Sequence, residues 1–507
     1  MADGGVGIAG LIIAVPGVID ICIRYGQFLK TRTHNYRHIE AITRLSRFIV
    51  DLVEGEVRQV LRFFEAMHND SIQDHQTNEL VQQLHSLLEE VSRMFSGDTP
   101  GTWERFVFSM KGKKSIDRAC AELEGWHARF LRHFWIRAML GSPDLPAGHD
   151  AATTRSRMLS RVQRVKSAIM SPDKKNLRLE AFDDAVTLHH IPGSNVAVTD
   201  VGRELVEFRE YPSLATAQVM NTTQALVRDL AVRLHEIEPS TMGLLRCNGY
   251  TAEPARCRFA LLLQYPAGKD SVGTLHSLLV HEENSRGVQH SLGDRVLLAR
   301  KLASAVLYMH TCDFVHKNIR PDNVLIFTDD VPPGEDSAEY TYPRVIGEPF
   351  LVGFDNVRKA IAASNMIKVE DWKKNIYLHP DRHRMGAGDE YTVRHDVYSL
   401  GVVLLEIAMW GSFTDQRPGK MARYVWQDAG TRAAAPLSPE DLKKRYLKLA
   451  KSVVPRQIGT KYADIVVSCL EGLQDEERGG LLNDEDGLVI ETAYVAQVLS
   501  KLEEISL

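Results

Sequence analysis

The chain has 507 residues, too many for one ordinary hydrophobic core, so two or three domains are expected. A hydrophobic content of 44%, a charged content of 25% and a formal net charge of -5 describe a globular chain with no general affinity for polyanions, so nucleic acid is not the expected partner. The six cysteines lack C-x-x-C pairs, which argues against a disulfide framework or zinc ribbon and for a reducing, cytoplasmic setting.

In chain order, the first feature is an uncharged apolar run from Val6 to Ile19. Asp3 stands where a secretory signal would carry basic residues. The run is 14 residues long, short of the roughly 20 that span a bilayer, so a buried first helix is expected. Ala2 occupies the position where the myristoylation pattern requires glycine. Residues 1–140 then read as helix after helix. Ile39, Ile42, Leu45, Ile49 and Leu52 form one apolar stripe, Leu80, Val81, Leu84, Leu87, Leu88, Val91 and Met94 a second, and Ile116, Cys120, Leu123, Trp126, Phe130, Phe134 and Met139 a third. Turn residues at 69–71 and 96–101 separate them, and the pattern predicts an all-α bundle of antiparallel helices.

Residues 141–179 read as a linker, rich in helix breakers from Gly141 to Asp150, followed by a basic helical connector. Arg155, Arg157, Arg161, Arg164, Lys166, Lys174, Lys175 and Arg178 give it either a solvated face or a surface for an anionic membrane or partner. From about 180 the pattern becomes α+β, with strands first and helices later. Leu205–Arg209 alternates as a strand, Arg258–Tyr265 is a more buried strand, and a helix over 215–234 lies between them. Long helices follow over 293–309 and 396–409, and residues 476–507 form a C-terminal helical tail.

Four motifs in this half carry chemistry. The run His316-Lys317-Asn318-Ile319-Arg320-Pro321-Asp322-Asn323 resembles the catalytic loop H-R-D-L-x-x-x-N of the protein kinases, with Asn318 in place of the catalytic Asp. Gly353-Phe354-Asp355 stands where that family has D-F-G. Tyr377-Leu378-His379-Pro380-Asp381 resembles the A-P-E motif, and Asp396-Val397-Tyr398-Ser399-Leu400-Gly401 the D-V-W-S-L-G helix start. Their order and spacing imply a bilobal protein kinase-like domain over 180–475, in which Asp396, Pro380 and Asp381 keep structural roles. The resemblance also implies lost chemistry. An amide at Asn318 is a far weaker base than the carboxylate that accepts the substrate proton. Gly353 removes the main metal ligand, leaving Asn323 as the second one, and Asp355 replaces it only if the backbone rearranges. Residues 180–205 contain no G-x-G-x-x-G, so a phosphate-covering loop is missing.

Val206-Glu207-Phe208-Arg209 is matched to V-A-I-K, with Arg209 in the lysine's place and Asp229 as its expected partner. Arg209 and Asn323 are the candidate nucleotide contacts, Arg320 is a phosphate-binding cation that transfers nothing, and His316 and Phe354 are packing residues. No cofactor beyond weakly held ATP is expected, and no metal. Lys111-Gly112-Lys113-Lys114-Ser115 lacks the upstream glycine of a P-loop. His379 and His383 have the spacing of a zinc pair without the intervening Glu. Ser364 and Tyr377 lie where phosphorylation would act.

The opening Gly7–Ala14, followed by Cys22-Ile23-Arg24-Tyr25-Gly26-Gln27, resembles the fungal HeLo family of cell-death domains. That resemblance implies a bundle that self-associates and inserts its N-terminal segment, here Ile8, Leu11, Ile12 and Ile13, into anionic membrane. The whole chain then reads as a non-catalytic signalling protein in a cell-death or incompatibility response. It would be cytoplasmic and move to the plasma membrane on activation, with a pseudokinase controlling the bundle. The competing readings are a divergent active kinase and a scaffold without membrane action.

Overall fold

The computed structural model describes residues 75–94, scattered positions from 115 to 130, residue 168, and residues 176–180, 186–200, 203–282, 290–312, 314–329, 345–359, 371–383, 391–426, 436–474 and 493–505. The expected membrane segment, the P-loop-like run up to Lys114, the stripe from Ile39 to Leu52, the glycines around 202 and Ser364 lie outside the described residues. The chain divides into two units, 1–166 and 167–507.

In the first unit, helix α1 (His75–Met94) buries Leu80, Leu84, Leu88 and Val91 along the stripe its spacing predicts. The described positions between 115 and 130 are helical as well, with Ile116, Ala119, Leu123, Trp126 and Phe130 buried. Trp126 stacks on Phe130 with ring centroids 5.0 Å apart and donates its indole N–H to the Leu80 carbonyl at 2.7 Å, which ties the two stripes together. Trp126→Ala is expected to cost this unit about 3–5 kcal/mol. A urea titration followed by far-UV circular dichroism checks it, and an unchanged first transition would contradict this packing.

The second unit is α+β. Strands β1 (Leu188–His190), β2 (Val196–Thr199), β3 (Glu204–Glu210), β4 (Cys247–Glu253) and β5 (Arg258–Gln264) form an antiparallel sheet in the order β1-β2-β3-β5-β4. Helix α2 (Ala217–His235) connects β3 to the β4 edge, its N-terminus capped by Thr216, whose side chain accepts from Val219 N–H. The basic connector does not stay helical to its end. Residues 176–180 are extended, and Leu179 N–H donates to Tyr250 O while Tyr250 N–H donates to Leu177 O, so the free edge of β4 is covered.

The helical half is built on two helices. Helix α3 (Leu292–Thr311) starts at Ser291, whose hydroxyl accepts Asp294 N–H, and α4 (Val393–Met409) follows Thr392. α4 is buried almost all round, as the continuous apolar run after Asp396 requires. Gly401 permits the close crossing of α5 (Thr460–Glu471), since a Cβ there would stand 2.7 Å from Cys469 Cβ. The last described residues pack on this core. Tyr494 O–H donates to Ala303 O at 2.9 Å, and Arg300 reaches the carbonyls of Leu502 and Ile505.

Two smaller sheets join the halves: β6 (Lys269–Thr274) with β8 (Val324–Asp329) and β9 (Glu348–Leu351), and β7 (Phe314–Val315) with β10 (Arg358–Lys359). The loop 316–323 lies between β7 and β8, and the turn 352–357 between β9 and β10. The pairing of β7 with β10 and of β8 with β9 places that loop beside that turn. Among the described residues no helix is long and apolar enough to cross a membrane.

Candidate functional site: the altered kinase-like cleft

Asp396, in the first turn of α4, is fully buried and organises the loop. Its carboxylate accepts His316 N–H at 2.6 Å, Lys317 N–H at 2.9 Å, Tyr391 O–H at 3.1 Å and a bond from His310 Nε2 at 3.1 Å. Burial works to raise this carboxyl, but the bonds from His310 and His316 outweigh it and hold it below the ordinary Asp range. The clamp also holds Lys317 in the left-handed region, at φ 65°.

His316 is buried and kept neutral by desolvation. Asn318 N–H must donate to its Nδ1 at 3.3 Å, so Nε2 carries the ring hydrogen and gives it to Val352 O at 3.0 Å. Phe354 packs 5.6 Å from that ring, centroid to centroid.

The reacting positions are engaged with one another. Asn318 Nδ2 donates to Asp355 Oδ1 at 3.0 Å, and Asn323 Nδ2 donates to Asn318 O at 2.7 Å. Asn323 is buried and fills the space beside Gly353, where an added Cβ would lie 2.4 Å from Asn323 Cγ. Gly353 has φ +92°, a conformation that suits glycine. Asp355 is therefore tied to an amide donor, and Gly353 has no room for the carboxylate it lacks.

Arg209 sends Nη1 to Phe354 O at 3.3 Å and Val357 O at 3.0 Å, so this candidate nucleotide contact is engaged with backbone carbonyls. Asp229, its expected partner, accepts from Arg228 at 3.0 Å. Arg320 has its Nη1 3.6 Å from an Asp322 carboxylate oxygen. The chain does not fit a magnesium nucleotide here, because its metal position is a crowded glycine and its two candidate contacts are bonded internally.

The sequence reading passed over Glu207. It sits in the middle of β3, 1% exposed, and its carboxylate accepts Gly353 N–H at 3.1 Å and Phe354 N–H. Burial, then nearby Asp355, push this carboxyl up to about 8, against the two backbone bonds and Arg209. The available signal was an acid inside a strand whose neighbours Val206 and Phe208 are both core residues. A folded value raised from 4.5 to about 8 means that the group favours the folded state below the unfolded value and that this contribution is lost as pH rises to about 8. Glu207→Gln should therefore gain stability relative to the parent as pH rises from 6 to 9. Urea midpoints at both pH values check this, and parallel curves would contradict it.

Asp381 pairs with Arg394 at 3.2 Å, beside buried Pro380. Tyr377 is not a surface phosphorylation site, since its buried hydroxyl bonds both oxygens of Glu406 at 3.0 and 3.1 Å. His379 meets Asp381 and His395 rather than His383, and these three present ligand atoms within 4.8 Å of one another. Burial lowers His379 to about 4 and His395 to about 3, so both are neutral. Yet Asp381 N–H and Thr392 N–H occupy their Nδ1 atoms, leaving the hydrogen on each Nε2, and Lys443, Arg394 and Arg382 make the surroundings cationic. That combination does not suit a divalent ion. A cavity of about 400 Å³ lies at the β5–β6 turn, lined by Arg203, Glu204, Asn248, Tyr265 and Lys269, and includes none of the motif residues.

No protein-family model matches the chain. It is 27% identical over 232 residues to the serine/threonine-protein kinase PknL of Mycobacterium tuberculosis and to that of Mycobacterium bovis, covering 43% of this chain and 51% of each relative. It is 29% identical over 159 residues to a protein kinase and PP2C-like domain-containing protein of Arabidopsis thaliana, covering 30% of this chain and 22% of that protein. The chain thus spans about half the length of the mycobacterial relatives and less of the plant one. With the motif geometry and the sheet order, these relatives support one conclusion: the chain carries a protein kinase-like domain.

Proposed function

We propose that this chain is a non-catalytic signalling protein in which the kinase-like domain controls the N-terminal helical unit. The observation that carries the reading is the contact of Asn318 Nδ2 with Asp355 Oδ1 beside a Gly353 walled in by Asn323. Where a kinase holds a proton acceptor and a metal carboxylate, this cleft holds an amide donor and a glycine. Kinases by name among the relatives favour a second reading, a divergent active enzyme, but that reading has no base at Asn318 and no metal ligand at Gly353.

A thermal-shift titration with ATP, with and without Mg²⁺, tests the metal half of the proposal. The expected result is no stabilisation that requires Mg²⁺. Saturable Mg²⁺-dependent stabilisation would mean that another carboxylate, Asp355 first, supplies the ligand.

The output of the helical unit is proposed from sequence alone: self-association and action on anionic membrane through Ile8, Leu11, Ile12 and Ile13, with HeLo-type cell death as the biological setting. In support stand the uncharged run Val6–Ile19, its glycines, which permit close helix contact, and the basic residues from Arg155 onward. Residues 1–166 should permeabilise anionic vesicles, and a folded Ile12→Asp variant should do so far less, since a buried carboxylate opposes insertion by about 2.5–3.5 kcal/mol. Equal leakage by parent and variant, or none by the parent, would leave a scaffold role in its place.

A further inference from the structure

The side chain of Glu207 spans a gap that no kinase motif asks it to span. Residues two apart on a strand leave it on the same side, so Glu207 and Arg209 both project from β3 toward the turn that follows β9. There they divide the work. Glu207 accepts the Gly353 and Phe354 N–H groups, while Arg209 donates to the Phe354 and Val357 carbonyls. The strand-rich and helix-rich halves approach at a second point, the β1–β2 turn, where a Cβ on Gly193 would stand 3.4 Å from Asp322 Oδ1.

We propose that Glu207 is a built-in occupant of the nucleotide cleft, holding the five-stranded sheet down on residues 353–354 and taking the donors and the space that a nucleoside triphosphate needs there.

The chemistry of the two occupants is the same. A phosphate group, like a carboxylate, is an oxygen acceptor that seeks backbone N–H groups and a guanidinium, and Glu207 already has the former, with Arg209 beside it. A nucleotide must displace Glu207 and then satisfy the two freed N–H groups, which are costly if left buried and unpaired. Asp355 places a carboxylate close to Glu207, so a triphosphate would enter beside that negative charge with no metal to offset it. The loss of the Gly353 carboxylate and the presence of Glu207 are complementary. A side chain on Gly353 would collide with Asn323, and the bare backbone left by the glycine is what Glu207 binds.

This inference rests on the non-catalytic reading in one respect, that any nucleotide held here is held without metal, so the test is made in EDTA. Isothermal titration of ATP into the full chain should show no saturable binding for the parent. Glu207→Ala, which removes the occupant, should bind at least about tenfold more tightly, the equivalent of one displaced buried hydrogen bond. Parent binding as tight as that of the variant, or no binding by a folded variant, overturns the proposal. Binding by Glu207→Ala together with phosphate transfer on adding Mg²⁺ would leave the occupant in place and overturn the non-catalytic reading instead. Should Glu207→Ala fail to fold, Glu207→Met keeps the size and removes both acceptors. Hydrogen exchange over 350–357 should then speed up roughly tenfold, and unchanged exchange there overturns the proposal equally.

Discussion

Asp396→Ala is expected to lower the unfolding free energy of the kinase-like unit by about 3–5 kcal/mol. The carboxylate is fully buried, and its removal strands the N–H groups of His316 and Lys317 and the hydroxyl of Tyr391 at once. It also releases Lys317 from its left-handed backbone, so the loop 316–323 loses its shape as well as its anchor. Urea unfolding gives the answer directly: the midpoint should fall with little change in slope. The same group predicts an acid limb. Its folded carboxyl lies below the unfolded value of 3.8, so its contribution is present above that value and is lost as pH falls through the folded one. Asp396→Ala should accordingly flatten the stability profile below about pH 4. A change of less than about 1 kcal/mol, within the range of ordinary surface substitutions, would contradict the clamp.

Gly353→Asp is the second large effect, and its direction is opposite to what the motif alone suggests. Restoring the family's metal carboxylate places a Cβ 2.4 Å from Asn323 Cγ at a backbone φ of +92°. Overpacking costs about 1–3 kcal/mol and a strained non-glycine backbone a similar amount, so a loss of about 2–6 kcal/mol is expected. The substitution also pushes on the Glu207 bonds to residues 353 and 354. The expected outcome is a less stable protein that still shows no Mg²⁺-dependent ATP binding, alone or with Asn318→Asp. A stable Gly353→Asp variant that gains such binding would show that the cleft yields easily.

Those two positions mark how far a reading of residues reaches. Asp396 was legible because its motif is contiguous, sits at a helix start and acts on a loop identified by its own motif. The strands over 205–209 and 258–265 and the helices over 215–234, 293–309 and 396–409 were legible from periodicity, with no end displaced by more than three residues. Asn323 against Gly353 was not legible, because the packing of a side chain against a glycine 30 positions later leaves no local pattern. Glu207 was hidden for the same reason, its partners lying 146 and 147 residues away. Arg209 was legible as part of its strand, but its bonds to the carbonyls of the 354–357 turn were not, because those partners lie 145 and 148 residues away. Tyr377 lies in the segment where phosphorylation would act, but its hydroxyl is bonded to Glu406 inside the helical half, a partner 29 residues away that no local pattern marks. The end of the basic connector read as helix because its charges carry no alternation, while the exposed edge of β4 draws it into an extended bridge.

The most direct test of the central claim is phosphate transfer from γ-labelled ATP under single-turnover conditions, with the full chain in excess and Mg²⁺ or Mn²⁺ present. Both autophosphorylation and transfer to added protein substrates would be scored against a heat-denatured control. The altered cleft predicts no label on protein above that control, in the parent chain and in Asn318→Asp alike, because the metal position stays closed by Gly353 and Asn323. Time-dependent labelling by the parent chain that is abolished by Asn323→Ala would contradict it.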